Sequence, residues 1–124
     1  MAIRYNIDPS RALVHVIGTG WVTMSEMTAV VDQIAAHPQF RSDFPVVFDI
    51  RDADYTAQTN DGDAFVAALD RGENAFQKRF ALVVPQSLQV LATLFCLMAQ
   101  LKGIDRIKCF TDMSAAHEWI GLPA

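Results

Sequence analysis

Residues 80–110 read FALVVPQSLQVLATLFCLMAQLKGIDRIKCF, and this stretch decides the fold. Phe80-Ala81-Leu82-Val83-Val84 is a continuous apolar run closed by Pro85, the pattern of a strand buried on both faces. Residues 87–102 are apolar at helical spacing until Gly103 stops them, and Arg106-Ile107-Lys108-Cys109-Phe110 then alternates as a partly exposed strand. Strand, helix and strand in this order imply parallel neighbours joined by a right-handed crossover.

The same grammar extends upstream. Ile3, Tyr5 and Ile7 alternate with Arg4, Asn6 and Asp8 as an edge strand, and Asp8-Pro9-Ser10-Arg11 turns the chain into a second, more apolar run, Leu13-Val14-His15-Val16-Ile17. Gly18-Thr19-Gly20 is expected to break that strand. Thr23-Met24-Ser25-Glu26 has the spacing of a capping box, and Met24, Met27, Val31 and Ile34 give the helix behind it one apolar face up to His37-Pro38. Val46-Val47-Phe48-Asp49-Ile50 reads as the third strand. A second helix is expected from near Thr56 or Thr59 to Arg71, and a last one, capped by Thr111 or Asp112, carries Ala116, Trp119 and Ile120. The order β-β-α-β-α-β-α-β-α gives an α/β fold. It is one domain over 1–124, with a mostly parallel five-stranded sheet, helices packed on it and the first strand an antiparallel edge.

Composition narrows function. The chain has 124 residues, 52% of them hydrophobic and 19% charged, which excludes a disordered or low-complexity segment. Its longest stretch without strongly polar side chains, 90–99, is half of the ~20 residues that cross a bilayer, and the first ten residues lack the form of a secretory signal; a cytoplasmic location is expected. Two cysteines, Cys96 and Cys109, read as reduced core residues. Of the net charge of −4, residues 43–63 hold six acids against Arg51, and the remainder is close to neutral. No basic stripe is left for phosphates, so no nucleic acid partner is expected.

The third helix carries more apolar surface than one sheet can cover. Leu88, Leu91, Ala92, Phe95, Met98 and Ala99 form one stripe, and Val90, Leu94, Leu97 and Leu101 form a second at spacings of four, three and four. Together they span roughly 220° of the helix, against the ~100° of an ordinary surface helix. One stripe packs on the sheet. The other meets a neighbouring helix, a partner chain or an apolar ligand, and Met24 and Met27 are candidates to line a pocket for such a ligand.

With these elements placed, the chain resembles the STAS-like (SpoIIAA-like) family, which includes anti-sigma-factor antagonists and the cytoplasmic tails of sulfate transporters. The matching landmarks are the short first hairpin, Gly18-Thr19-Gly20-x-Val22-Thr23 before the first helix, and Val46-Val47-Phe48-Asp49-Ile50-Arg51. To these are added Ala81-Leu82-Val83-Val84-Pro85 and the closing run from Phe110-Thr111-Asp112 to Trp119-Ile120-Gly121. Phospho-regulated members carry Asp-Ser-x-Gly where the third strand meets the second helix. Here that stretch is Asp52-Ala53-Asp54-Tyr55-Thr56, without serine or glycine. The like charges of Asp52 and Asp54 oppose a phosphate on Thr56, which reads instead as a helix cap. The resemblance is nearer to short bacterial proteins related to both STAS and CRAL-TRIO lipid-transfer domains, which implies a binding module rather than an enzyme.

Other constellations are weak. Gly18-Thr19-Gly20 lacks the third glycine and following acid of a dinucleotide site, and Asp52-x-Asp54-x-Thr56 lacks the turn glycine and closing Glu of a calcium loop. His15, His37 and His117 have no metal-ligand spacing, and His15 reads as a satisfied, half-buried imidazole. No cofactor or metal is implied. The reading is a non-enzymatic binding or regulatory module. It acts through a protein partner or homodimer, or through an apolar, lipid-like small molecule, with Val90, Leu94, Leu97, Leu101, Met24 and Met27 as the binding set. Asp49, Asp52, Asp54 and Thr56 form its acidic face. The alternative is a small enzyme with one of these aspartates as general base at the carboxyl end of the third strand.

Overall fold

The computed structural model describes residues 3–72 and 75–121. Its elements are β1 (Ile3–Asp8), β2 (Leu13–Trp21), α1 (Met24–Ala36), β3 (Val46–Asp54), α2 (Asp61–Arg71), β4 (Phe80–Val83), a 3-10 turn (Gln86–Leu88), α3 (Gln89–Leu101), β5 (Ile107–Phe110) and α4 (Met113–Ile120). They build one five-stranded α/β sheet in the order β1-β2-β3-β4-β5, with β1 antiparallel to β2 and all other pairs parallel. The outermost residues of the expected 1–124 domain, like 73–74, lie outside the described residues. No helix among the described residues is long and apolar enough to cross a membrane.

Each crossover steps to the next strand in the same direction. With one handedness, that places α1, α2 and α3 on a single face of the sheet. There Met24, Met27, Val31 and Ile34 of α1, Val66 and Leu69 of α2, and Ala92, Phe95 and Ala99 of α3 pack on Val16, Phe48, Ile50 and Leu82. α4 follows the last strand and lies on the opposite face, where Ala116 is buried against Leu13, Val47, Ala81 and Val83. Sandwiching from both sides explains why β4 is buried along its whole length and reads as an unbroken apolar run.

The caps follow from the sequence. Thr23 Oγ1 accepts the Glu26 amide at 3.1 Å while Glu26 returns an oxygen to the Thr23 amide at 3.0 Å, and Asp112 caps α4 through the Ala115 amide at 3.1 Å.

Three expectations are corrected. β2 does not stop at Gly18-Thr19-Gly20 but runs on to Trp21, and β3 runs on past Ile50 to Asp54. Ile17 pairs with Asp49 and Thr19 with Asp52, so β3 holds one extra residue opposite Gly18. A Cβ on Gly18 would stand 3.1 Å from Ile50 Cγ2, so glycine here lets the strands pass closely rather than ending one. Next, α2 starts at Asp61, and Thr56 is an exposed loop residue that caps nothing. The cause is local: Asn60 turns the chain in the left-handed region at φ 72°, and the Asp61 carboxylate accepts the Gln58 amide at 2.9 Å and the Tyr55 hydroxyl. The third helix, read as 87–102, opens with a 3-10 turn and is α-helical only over Gln89–Leu101.

Candidate functional site

α3 stands at the end of the helical layer, packed on α2 at one side and on β5 beneath. Its inward residues Ala92, Phe95, Cys96 and Ala99 are buried. The second stripe lies about 180° round the helix, at 100° per residue, and faces solvent. Val90 is 85% exposed, Leu94 52%, Leu97 50% and Leu101 88%. These four are the only large aliphatic side chains among the described residues that the fold leaves exposed, and they form one contiguous line. Between Gln86 and Leu101 there is no charged residue to interrupt it.

Met24 and Met27 do not join that line. Both are buried on the inner side, where they border two adjoining apolar cavities together with Phe65 and Leu82. One, of about 30 Å³, extends toward Phe48, Leu69 and Phe80; the other, of about 40 Å³, extends beneath Leu88, Leu91 and Phe95 of the α3 region. Each is far below the ~300–1,000 Å³ of a drug-sized ligand site. The six residues read together as one binding set therefore occupy two places, inside and outside the helical layer.

The acidic face is also divided. Asp52 and Asp54 project from the last turn of β3 into solvent, because the extra residue at the bulge turns Ala53 inward in their stead. Asp49 is not at the strand end but mid-strand and half-buried. Arg51 holds both its oxygens, with Nε and Nη2 each at 3.0 Å and the Arg51 amide at 3.1 Å. Burial pushes the Asp49 carboxyl up, but the Arg51 side-chain and backbone bonds outweigh it and hold the group below the ordinary aspartate range. A carboxylate so engaged is a weaker proton acceptor than a free one.

Two features escaped the sequence reading. Trp21, 69% exposed, pairs in register with Asp54. It borders an open groove of about 380 Å³ formed with Thr23, Ser25, Thr56, Gln58 and Asp61 at the carboxyl ends of β2 and β3. A tryptophan directly after a glycine-rich strand end was the available signal. On the sheet face that α4 leaves open, His15 shares a strand with Ile17, and Ile17 pairs in register with Asp49. The His15 Nε2 is buried without a hydrogen-bond partner, so the imidazole is not the satisfied one expected. Burial lowers its pKa, Asp49 opposes that, and His117, Arg51 and Arg11 add to it.

The two thiols lie beside each other, Cys96 on α3 and Cys109 on β5. Cys96 is buried and free, with its pKa pushed up to about 12 by burial and by Cys109, whose Sγ lies 3.2 Å from Thr93 Oγ1. Among the described residues, no three His, Cys, Asp or Glu side chains converge as a metal site.

No protein-family profile matches the chain, and no curated protein matches it. Among solved structures it is similar to an uncharacterized protein of the DUF3478 family with a SpoIIAA-like fold from Shewanella loihica PV-4. The TM-score is 0.61 at 20% identity, over 96% of this chain and 94% of the other. The fold is SpoIIAA-like, in agreement with the resemblance read from the sequence.

Proposed function

We propose that this chain is a non-enzymatic, STAS-like binding or regulatory module of the cytoplasm that works through protein contact at the outer face of α3. The observation that carries the reading is the uninterrupted line of Val90, Leu94, Leu97 and Leu101, exposed on a fold whose core is already closed by the opposite face of the same helix. Monomers seldom leave such a line uncovered, because every Å² of apolar surface in water costs about 25 cal/mol. Asp52 and Asp54, projecting from β3, add an exposed acidic surface of their own.

A second reading has its own support. The two cavities bordered by Met24, Met27, Phe65 and Leu82 adjoin each other, and thioether side chains adapt to irregular shapes. An apolar, lipid-like molecule would sit in this space, between α1 and α2 and beneath the α3 region.

The test is photocrosslinking in living cells, with a photoreactive amino acid at position 97 and, as control, at Asn6, an exposed residue of β1. The expected result is protein adducts from position 97 and none from position 6. Absence of any protein adduct from position 97 would overturn the reading.

A further inference from the structure

The outer stripe of α3 has the form of a seam for another helix. Val90, Leu94, Leu97 and Leu101 follow one another at four, three and four residues, the a/d spacing that keeps one face of a helix against a partner helix. The line is about 17 Å long. Its spacing is also the same read from either end. A two-fold axis perpendicular to the helix, passing between Leu94 and Leu97, therefore lays Leu94 on Leu97 of a second copy and Val90 on Leu101.

We infer that the partner on this face is a second copy of the chain, with the two α3 helices antiparallel about that axis. The inference rests on the proposed protein-contact role and names its partner. The flanks of the seam are Gln86, Thr93 and Gln100 on one side and Leu91 and Met98 on the other, and none carries charge. α3 itself brings no charge to the seam; Asp63 and Asp70 of α2 and Lys102 stand around the groove beyond Met98, outside the line of contact. A seam meant for a different helix normally selects it with charged flanking residues, and this one has none. A bilayer is disfavoured by the same fact, since interfacial helices carry Lys or Arg along their polar face. At the observed exposures the four residues can bury at most about 450 Å² per copy, or roughly 900 Å² per pair. With the flanking residues added, this reaches the ~1,000 Å² of a specific interface and stays below the standard size, so the dimer is reversible.

The test is sedimentation velocity of the purified full chain from about 1 to 300 µM, run with unfolding curves. The wild type is expected to rise with concentration from 13.7 kDa toward twice that mass, and Leu94→Glu to stay folded while losing association at least 100-fold. Orientation is read from two double variants at the most exposed positions. Antiparallel pairing puts position 90 beside position 101 of the other copy, so Val90→Lys/Leu101→Glu keeps the dimer within about tenfold and Val90→Lys/Leu101→Lys loses it. Equal loss in both, or a wild type that stays monomeric, overturns the inference. So does a monomer that floats with phosphatidylcholine vesicles. A monomeric wild type that still gives adducts from position 97 to a different protein overturns self-pairing alone and leaves the binding role standing; no adducts at all remove both.

Discussion

α2 and α3 lie side by side in one helical layer, yet they meet water in opposite ways. α2 turns Val66, Ala68 and Leu69 inward and shows solvent Asp63, Ala67, Asp70 and Arg71, the last reaching Asp32 of α1 at 3.3 Å. α3 buries an equivalent inner face and shows solvent Val90, Leu94, Leu97 and Leu101. Both helices meet the requirement of the fold with one side. The difference lies wholly on the side that folding does not use, and such a surface is where function leaves its mark.

The comparison breaks most sharply if the two sides of α3 are exchanged in experiment. Phe95→Ala removes a buried ring that packs on Phe65 at 5.6 Å between centroids, and it is expected to destabilise the domain by about 3–5 kcal/mol in urea unfolding. Leu97→Glu, two residues on and on the exposed side of the helix, is expected to change stability by no more than about 0.5 kcal/mol in the monomer. A reversed order would mean that the outer stripe, not the inner, is the core. A smaller effect tests the layer beneath: Thr23→Ala removes one half of the α1 capping box and is expected to cost about 1 kcal/mol, measured as a shift in the urea midpoint.

The smallest effect lies away from both helices, on the open sheet face. The folded pKa of His15 is lowered from 6.5, so the unfolded chain binds its proton more readily. The stabilising contribution of the neutral imidazole is therefore present above the unfolded value and is lost as pH falls through the folded one. Wild type is expected to lose more stability between pH 7 and pH 5 than His15→Gln does. Equal slopes would show that His15 is not the group responsible. Asp49 acts in the same direction at lower pH, because its carboxyl is held below 3.8 by Arg51; its contribution is lost only as pH falls through that lower folded value.

Most of the fold was legible because its strands are unambiguous. Val46-Val47-Phe48 and Phe80-Ala81-Leu82-Val83 are apolar without interruption, as strands covered on both faces must be, and Thr23, Glu26 and Asp112 name their own helix ends. The errors gather where backbone geometry overrides composition. Gly18 reads as a breaker because its use, close passage beside Ile50, depends on a residue 32 positions away. Asp52 and Asp54 read as loop because strand pairing at a bulge has no local signal, and Thr56 reads as a cap because the left-handed turn at Asn60 is invisible without its neighbours.

The candidate site divides in the same way. Periodicity finds both stripes of α3, and nothing in periodicity tells which of them the rest of the chain covers. That depends on the layering, because among the described residues no further element packs over the outer side of α3.

The most direct test of this account is a native mass spectrum of the freshly purified chain beside Leu94→Glu, each compared with its denatured spectrum. The account predicts a wild-type dimer without adduct and a folded monomer for the variant. A wild type that flies as one chain with an adduct of a few hundred daltons, lost on denaturation and retained by the variant, would contradict it and move the working surface to the cavities beside Met24 and Met27.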